Sequence, residues 1–413
     1  MARAMTGTTA TQSRMIGERE FVALMAMLQA LQALAIDAML PALGVMARDL
    51  GVADSNQRQL VIGAFLLGSG AGSLFPGTLS DRFGRKPVLL ACIGSYFLLS
   101  LACAFTTSLE MLVALRFFQA AFCSGMMVIP SAIIRDSHEG DRMARMQSLI
   151  GVVFMIVPML APFLGQAVLL FASWRWIFGV LAAFSAMLMI WSALRLPETM
   201  KREHRQAIAP KTIAVNMGRV FVTRSAIGYI LATACTSSVL FGFINSAQQL
   251  IAERFGAHGA FGFVFGGIAM AMAVANFGNS RIVMKFGSQR VSHTALFIYL
   301  ALGAAQLFFA WGGQEKLWQF MPLMMATFAV MGFMTANFTA IAIQPFARTA
   351  GAAASVHAFL RMVIGALLGA AIGQVYDGTA RPLAAAMLLA GFCVLGLVLF
   401  SERGRLFSRS GRD

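Results

Sequence analysis

Asp37 is the only acidic residue deep within a long apolar segment of this 413-residue chain. Partial burial favours the protonated form of a carboxyl group, whereas a nearby cation favours the ionised form. A carboxyl group held between these two influences can take up and release a proton, so Asp37 is the first candidate for proton coupling. The alternatives are a fixed ion-pair partner, or a residue near the outer end of its helix, close to Pro41.

Arg116 and Arg361 are the two basic residues that lie within apolar segments. An arginine at the centre of a membrane helix costs about 2.5–3.5 kcal/mol on insertion scales, so each should face a cavity or a partner. We expect Arg116 to take part in proton coupling with Asp37; a structural arginine that reaches the membrane surface is the alternative. Arg361 is the strongest candidate for a cavity residue in the second half of the chain.

A narrow polar stripe is predicted in the first apolar segment, because Gln29, Ala33 and Asp37 recur every four residues and so share one helix face. Polar residues in other apolar segments are as well suited to bonding a neighbouring helix as to binding a substrate. The residues that we predict to line a substrate cavity are Gln29, Ala33, Asp37, Gln119, Asn245, Asn337 and Arg361.

The composition is that of a membrane protein, with 59% hydrophobic residues, 12% charged residues and a mean hydropathy of +0.75. Soluble proteins average about 45–50% apolar and about 25% charged residues. Twelve apolar stretches are long enough to cross a bilayer. They are continuous and do not alternate with polar residues, which predicts an all-α protein with twelve transmembrane helices and excludes a barrel.

The net charge of +15 could indicate a nucleic-acid partner, but the placement of the charges indicates a membrane topology instead. If both termini are cytoplasmic, basic residues on the cytoplasmic side outnumber those on the outer side by roughly four to one. We therefore predict a multi-pass protein of the bacterial inner membrane with both termini in the cytoplasm, and no nucleic-acid partner.

The longest polar stretch divides the twelve apolar segments into six and six. The two halves share a repeated element, because Lys285-Phe286-Gly287 occupies the place in the second half that Arg82-Phe83-Gly84 occupies in the first. The predicted divisions are a cytoplasmic tail at 1–20, a bundle at 21–196, a cytoplasmic linker at 197–222, a second bundle at 223–401 and a basic tail at 402–413.

Several functions are excluded by what the sequence lacks. There is no GxxxxGK[ST] phosphate loop, and the few ionisable residues within spans do not form a catalytic cluster. The five cysteines lie in apolar segments and form neither a CxxC pair nor a metal-ligand spacing with histidine. We expect neither an enzyme, nor a metal site, nor a cofactor.

The loop between the second and third apolar segments reads Gly-Thr-Leu-Ser-Asp-Arg-Phe-Gly-Arg-Lys-Pro from Gly77 to Pro87. Glycine permits a close approach of backbones and a tight turn, and Pro87 can open the next helix. This motif resembles the loop 2–3 signature of the major facilitator superfamily, and a basic loop that only sets topology is the alternative. The resemblance implies a cytoplasmic latch between two halves, formed by Gly77, Asp81, Arg82, Gly84, Arg85 and Lys86.

The fifth apolar segment contains two prolines, four residues apart, which remove helix hydrogen bonds and predict a kink. This segment is similar to the antiporter-associated motif of drug exporters, and a kink that serves packing alone is the alternative. The residues of the predicted kink motif are Pro158, Ala161, Pro162 and Gly165.

Nearly the whole chain resembles one subgroup of that superfamily, more clearly in the first half than in the second. The residues from Asp37 to Pro41, the Ser173–Phe178 segment and Leu196-Pro197-Glu198-Thr199 are similar to those of twelve-span drug:proton antiporters of the bicyclomycin- and chloramphenicol-resistance type. The resemblance implies two pseudo-symmetric six-helix bundles in a monomer. It also implies efflux of small amphiphilic or antibiotic-like molecules by alternating access, driven by the proton gradient. The alternative is a proton-coupled symporter for a small metabolite or nutrient.

Overall fold

The computed structural model describes residues 17–52, 54, 56–137, 140–200, 210–257, 261–312, 315–346 and 350–407. Within these ranges every regular element is a helix. Most of the predicted N-terminal tail, residues 201–209 of the predicted linker and residues 408–413 of the basic tail lie outside the described residues.

The part of the chain that the structure describes forms sixteen α-helices, since a chain in lipid must satisfy its backbone donors and acceptors internally. In chain order they are α1 (Glu18–Asp37), α2 (Leu43–Asp49), α3 (Leu60–Gly72), α4 (Pro76–Phe83), α5 (Arg85–Ala104), α6 (Leu109–Cys123), α7 (Gly125–Ser137), α8 (Gly140–Phe171), α9 (Arg175–Arg195), α10 (Pro210–Val222), α11 (Arg224–Gln248), α12 (Phe261–Phe286), α13 (Ser288–Trp311), α14 (Leu317–Ile343), α15 (Ala350–Gln374) and α16 (Arg381–Ser401).

Eleven helical segments of the described chain are long and apolar enough to cross a membrane, and a twelfth span is a bent pair. The pair joins Gln57–Gly72 to Pro76–Phe83 at an angle of 42°. Pro76 accounts for the break, since proline lacks a backbone N–H and disfavours helical geometry in the residue before it. The all-helical membrane fold is confirmed, with twelve spans when the bent pair counts as one.

The predicted linker is partly helical, because α10 occupies residues 210–222. This helix packs against α11 and α15 in the second half of the chain. This helix was not predicted from the sequence, where residues 197–222 were assigned to a polar linker. The division of the chain into two bundles stays a prediction.

The helices of the first half pack mainly on one another, as α1 on α8, α3 on α6 and α5 on α9. In the second half α11 packs on α15 and α16, and α14 packs on α12 and α13. The two halves meet along two seams, where α3 packs on α15 and α8 packs on α12. A cavity between the halves is therefore bordered by helices of both.

Small residues allow α3 and α6 to approach closely. A Cβ atom on Gly68 would lie 2.0 Å from the carbonyl oxygen of Phe117, and one on Gly72 would lie 2.3 Å from that of Ala121. Glycines four residues apart form such a contact face in membrane helices, where packing replaces the hydrophobic effect as the driving force. This seam holds span two in place beside span four.

The predicted kink motif lies in α8, which is continuous from Gly140 to Phe171 and contains both Pro158 and Pro162. Gly165 lies close to the end of the first span. A Cβ atom there would lie 2.0 Å from the carbonyl oxygen of Ala38 and 2.9 Å from Pro41. The motif thus positions α8 against the turn that follows Asp37.

Substitution of Gly165 by alanine should therefore destabilise the protein, because the new methyl group overlaps the Ala38 carbonyl oxygen. Overpacking of this kind costs about 1–3 kcal/mol. Gly151→Ala in the same helix is the matched control, since nothing lies within 4 Å of its added Cβ. Thermal unfolding in detergent should show a lower midpoint for Gly165→Ala alone. Equal midpoints for the two variants would contradict the described contact.

Candidate functional site

A cavity of about 280 Å³ lies between the two halves. Asp37 and Pro158 border it from the first half, and Asn276 is the polar residue among those that border it from the second. Its other lining residues are apolar or aromatic: Leu240, Phe243, Ile244, Phe265, Ile268, Ala269, Met272, Ala273 and Phe328. The cavity therefore offers a single ionisable group in apolar surroundings.

Asp37 is the last residue of α1, where the span changes from α-helix to the 3₁₀ turn Leu40–Ala42 that contains Pro41. Its side chain is 5% exposed. It makes no hydrogen bond or ion pair with any described residue, although it borders the cavity. An isolated carboxylate in apolar surroundings is very costly, so this group requires either a proton or a positively charged ligand.

Three phenylalanines form one wall of the cavity. The ring of Phe243 stacks on that of Phe265 with centroids 6.0 Å apart, and it contacts Phe328 at 5.2 Å in a tilted arrangement. Aromatic faces carry partial negative charge and accept apolar bodies or cations. Met272 adds a flexible side chain that can adapt to different shapes.

Arg116 is fully buried and contacts the helix of Asp37, but it does not pair with Asp37 itself. Its guanidinium donates to the carbonyl oxygen of Ala35 at 3.0 Å and to Oε1 of Gln119 at 2.7 Å. It also lies over the ring of Phe65, 4.1 Å from the centroid. The expected interaction with Asp37 is therefore indirect, through the backbone of α1.

The other predicted cavity residues of the first half do not border this cavity. Gln119 is held between Arg116 and the hydroxyl of Ser100, to which it donates at 2.7 Å. Gln29 is buried, and its Nε2 atom has no partner among the described residues. Ala33 is buried as well. Of this predicted stripe, Asp37 alone reaches the cavity.

The predicted cavity residues of the second half also lie away from it. Asn337 donates to Oδ1 of Asn279 at 2.8 Å, which links α14 to α12. Both amide atoms of Asn245 are buried without a partner among the described residues. Arg361 is half-buried in α15 and makes no hydrogen bond with a described residue.

The loop 2–3 motif forms a compact ionic cluster centred on Arg85. The guanidinium of Arg85 pairs with Asp81 and, at 2.8 Å, with Asp136. Glu198 accepts hydrogen bonds from the backbone N–H groups of Arg85 and Lys86, and so caps the start of α5. Every one of these partners belongs to the first half of the chain.

Other members of the motif have simpler roles in this structure. Gly84 has a φ of 104°, a conformation that side chains disfavour, so glycine is required at the turn. Gly77 has only an ordinary contact with Val128, and the guanidinium of Arg82 lies over the ring of Phe83. The described contacts do not include a latch between the halves.

A group of polar contacts that was not predicted from the sequence joins the halves and is here named the inter-half network. It lies at the end of the protein that carries the loops after the odd-numbered spans, here called the odd-loop end. Arg58 pairs with Glu253 at 2.8 Å, and Gln59 donates to Gln249. Its members are Asn56, Arg58, Gln59, Gln249, Glu253, Gln374 and Tyr376.

The network joins the halves through several hydrogen bonds. Asn56 donates to the carbonyl oxygens of Gln374 and Tyr376, both at 3.2 Å, and accepts from Gln249 at 2.8 Å. Arg58 is 5% exposed, which is unusual for a charged residue at a helix end. The run of polar residues at 56–59 was a signal in the sequence, but its partners are distant along the chain.

Breaking the Arg58–Glu253 pair should favour opening at this end, because the pair joins the two halves and its arginine is buried. We expect Arg58→Gln to raise labelling of a cysteine placed at Ile244, a cavity residue, by at least several-fold. The reagent is a membrane-impermeant thiol reagent, applied from the side of the membrane that faces the odd-loop end. The native cysteines are first removed from the protein. The swapped pair Arg58→Glu with Glu253→Arg should reduce labelling again. No change in either variant would contradict a closing role.

Comparison with known proteins places the chain in one family. The family model described as Major Facilitator Superfamily matches residues 25–370. The chain is 28% identical over 383 residues to a bicyclomycin resistance protein homolog of Haemophilus influenzae, which covers 92% of this chain and 94% of that protein. It is also 28% identical to a chloramphenicol resistance protein of Pseudomonas aeruginosa, with 90% and 88% covered.

A solved structure gives the same fold. A bacterial homolog of the human lysosomal transporter Spinster, in an inward-facing and occupied conformation, aligns with a TM-score of 0.71 at 14% identity. The alignment covers 93% of this chain and 96% of that one. The chain, a multi-pass protein of the bacterial inner membrane, therefore belongs to the Major Facilitator Superfamily, a family of transporters and not of enzymes.

Proposed function

We propose that this protein exports small amphiphilic or antibiotic-like molecules in exchange for protons, by alternating access. The single observation that supports this most strongly is the carboxyl group of Asp37, which borders an apolar cavity between the halves without a partner among the described residues. The relatives named for resistance to bicyclomycin and to chloramphenicol support the direction and the kind of substrate.

The chemistry of exchange follows from the cost of an unpaired charge. A protonated Asp37 leaves the cavity neutral, whereas an ionised Asp37 needs a compensating group. One carboxyl group then cannot hold a proton and bind the substrate at the same time. Binding of an amphiphilic substrate displaces the proton, and binding of a proton weakens the hold on the substrate. Such competition is sufficient to couple a proton flow to an opposite substrate flow.

The apolar lining favours this proposal over a nutrient symporter. A sugar or amino acid would need several hydrogen-bond partners inside the cavity to replace its water. The cavity offers Asp37 and Asn276, with Phe243, Phe265 and Phe328 on the opposite wall. Such a lining suits the body of an amphiphile, which is held by contact area and one polar anchor.

Arg116 is proposed as a positioning residue. Its hydrogen bond to the Ala35 carbonyl fixes the backbone two residues before Asp37, and its contact with Phe65 holds the guanidinium in place. We further propose that Arg85 and its motif engage the second half when the inter-half network is open. The bundles at 21–196 and 223–401 would then move as two bodies in a monomer, with both termini in the cytoplasm.

Removal of the Asp37 carboxylate should uncouple transport. Inverted membrane vesicles with an imposed pH gradient would receive a panel of dyes and antibiotics. We expect at least one substrate to dissipate the gradient with the wild type, and the effect to fall at least tenfold with Asp37→Asn, since the variant cannot exchange a proton. Asp37→Glu should retain part of the response.

Glu110→Gln is the matched control, because Glu110 is an exposed acid on α6. It should couple like the wild type. If Asp37→Asn still couples normally, Asp37 is not the coupling group, even where transport survives. If no substrate ever dissipates the gradient with the wild type, proton-coupled export is the wrong function.

A further inference from the structure

Glu315 is a second buried acid, far from Asp37 along the chain, in the segment between α13 and α14. It is 7% exposed. Its Oε1 atom accepts a hydrogen bond from Nε2 of Gln306 at 2.9 Å. The Oε2 atom of Glu315 and the Oε1 atom of Gln306 are both buried and have no donor among the described residues. Two acceptors of one hydrogen-bonded pair are thus unsatisfied, which is costly and calls for a donor.

A groove runs beside Glu315 on the membrane-facing side of the second half. It has a volume of about 750 Å³ and is bordered by Glu315 together with residues of α13, α14 and α16. Phe308 and Trp311, which border it, are 76% and 71% exposed. Side chains this apolar are covered by lipid when a helix spans the bilayer, and tryptophan concentrates at the level of the headgroups. The groove therefore lies at the membrane interface of the odd-loop end.

The charges around the groove complement a zwitterion. Burial raises the pKa of Glu315 to about 7, against the opposing effect of Arg254, so the unpaired carboxylate is poorly stabilised by the protein alone. At the same edge Arg381 donates to the carbonyl oxygens of Ala310 and Trp311, at 3.2 and 2.8 Å. The Arg381 residue is exposed, so its guanidinium is available to a phosphate.

We propose that this groove binds a phospholipid whose headgroup carries a primary ammonium group, as in phosphatidylethanolamine. The ammonium donates to the carboxylate of Glu315, which borders the groove, Arg381 faces the phosphate, and an acyl chain covers Phe308 and Leu388. A primary ammonium has three N–H donors and can therefore satisfy the Glu315 carboxylate. A trimethylated headgroup has none, so the site should distinguish the two lipids.

This lipid site is independent of the exchange of protons at Asp37. None of the residues that border the groove borders the central cavity. The occupant is a lipid and not a soluble amine, because most of the groove is lined by apolar side chains such as Leu307, Phe309 and Leu388. An amine without a chain would leave that surface uncovered.

The test is lipid retention measured by native mass spectrometry. Purified full-length protein would be equilibrated with equal amounts of phosphatidylethanolamine, its mono- and dimethyl derivatives, and phosphatidylcholine. We expect retention to fall with each methyl group, by about tenfold from the first lipid to the last, since each methyl removes one donor. Glu315→Gln should bring the ratio close to one, and Glu110→Gln should leave it unchanged.

Three results would overturn the proposal. One is equal retention of the four lipids by the wild type. Another is a Glu315→Gln variant that keeps the wild-type preference. The third is displacement of the retained lipid by free ethanolamine at a concentration comparable to that of the lipid, which would indicate a site for a soluble amine. Thermal unfolding of Glu315→Gln in each lipid distinguishes a folding defect from a loss of lipid selectivity. A folding defect would lower the unfolding midpoint equally in all four lipids.

Discussion

An ionisable side chain inside a bilayer must be paired, neutralised or brought to water, and this constraint organises the whole molecule. Arg116 meets it through the carbonyl oxygen of Ala35 and neighbouring polar and aromatic groups. Arg58 meets it through Glu253 across the boundary between the halves. Asp37 has no such protein partner among the described residues, and this difference separates a residue that holds the fold from one that is free to bind something else.

The sequence was sufficient for the parts of the structure that depend on composition and order alone. Continuous apolar runs predicted the helices, and Pro76 accounts for the bend that makes one span a pair. Asp37 could be selected because it was the only acid deep in an apolar run, and it does border the cavity. Gly84 could be selected because a tight turn needs a residue without a side chain, and its φ of 104° agrees.

The rest could not be predicted because it depends on contacts between residues far apart in sequence. Gln119 was as plausible in a cavity as against Ser100, and nothing in the local pattern decides between them. Phe243 and Phe328 are two of 35 phenylalanines, and only the placement of the halves selects those that face Asp37. The same placement, and not the motif itself, decides whether the latch residues meet the second half.

The position of Asp37 also connects the cavity to the closed end of the bundle. The 3₁₀ turn Leu40–Ala42 comes shortly after Asp37 and leads into α2, whose second residue is Gly44. A Cβ atom on Gly44 would lie 3.2 Å from Nη1 of Arg58 and 3.3 Å from Nε2 of Gln248, so this short segment touches the inter-half network. Protein interiors are closely packed, so a small displacement of one residue is transmitted to its neighbours.

A change of charge at Asp37 would therefore act at the start of a short segment whose far end packs against Arg58. The carbonyl oxygen of Ala38, one residue after Asp37, is at the same time in close contact with α8 at Gly165. The turn after Asp37 contacts α8, which packs on α12 of the second half, and it leads into α2, whose Gly44 packs against the Arg58 that pairs with Glu253. One carboxyl group is thus placed where neutralising or freeing its charge bears on the contacts that must change for the cavity to alternate.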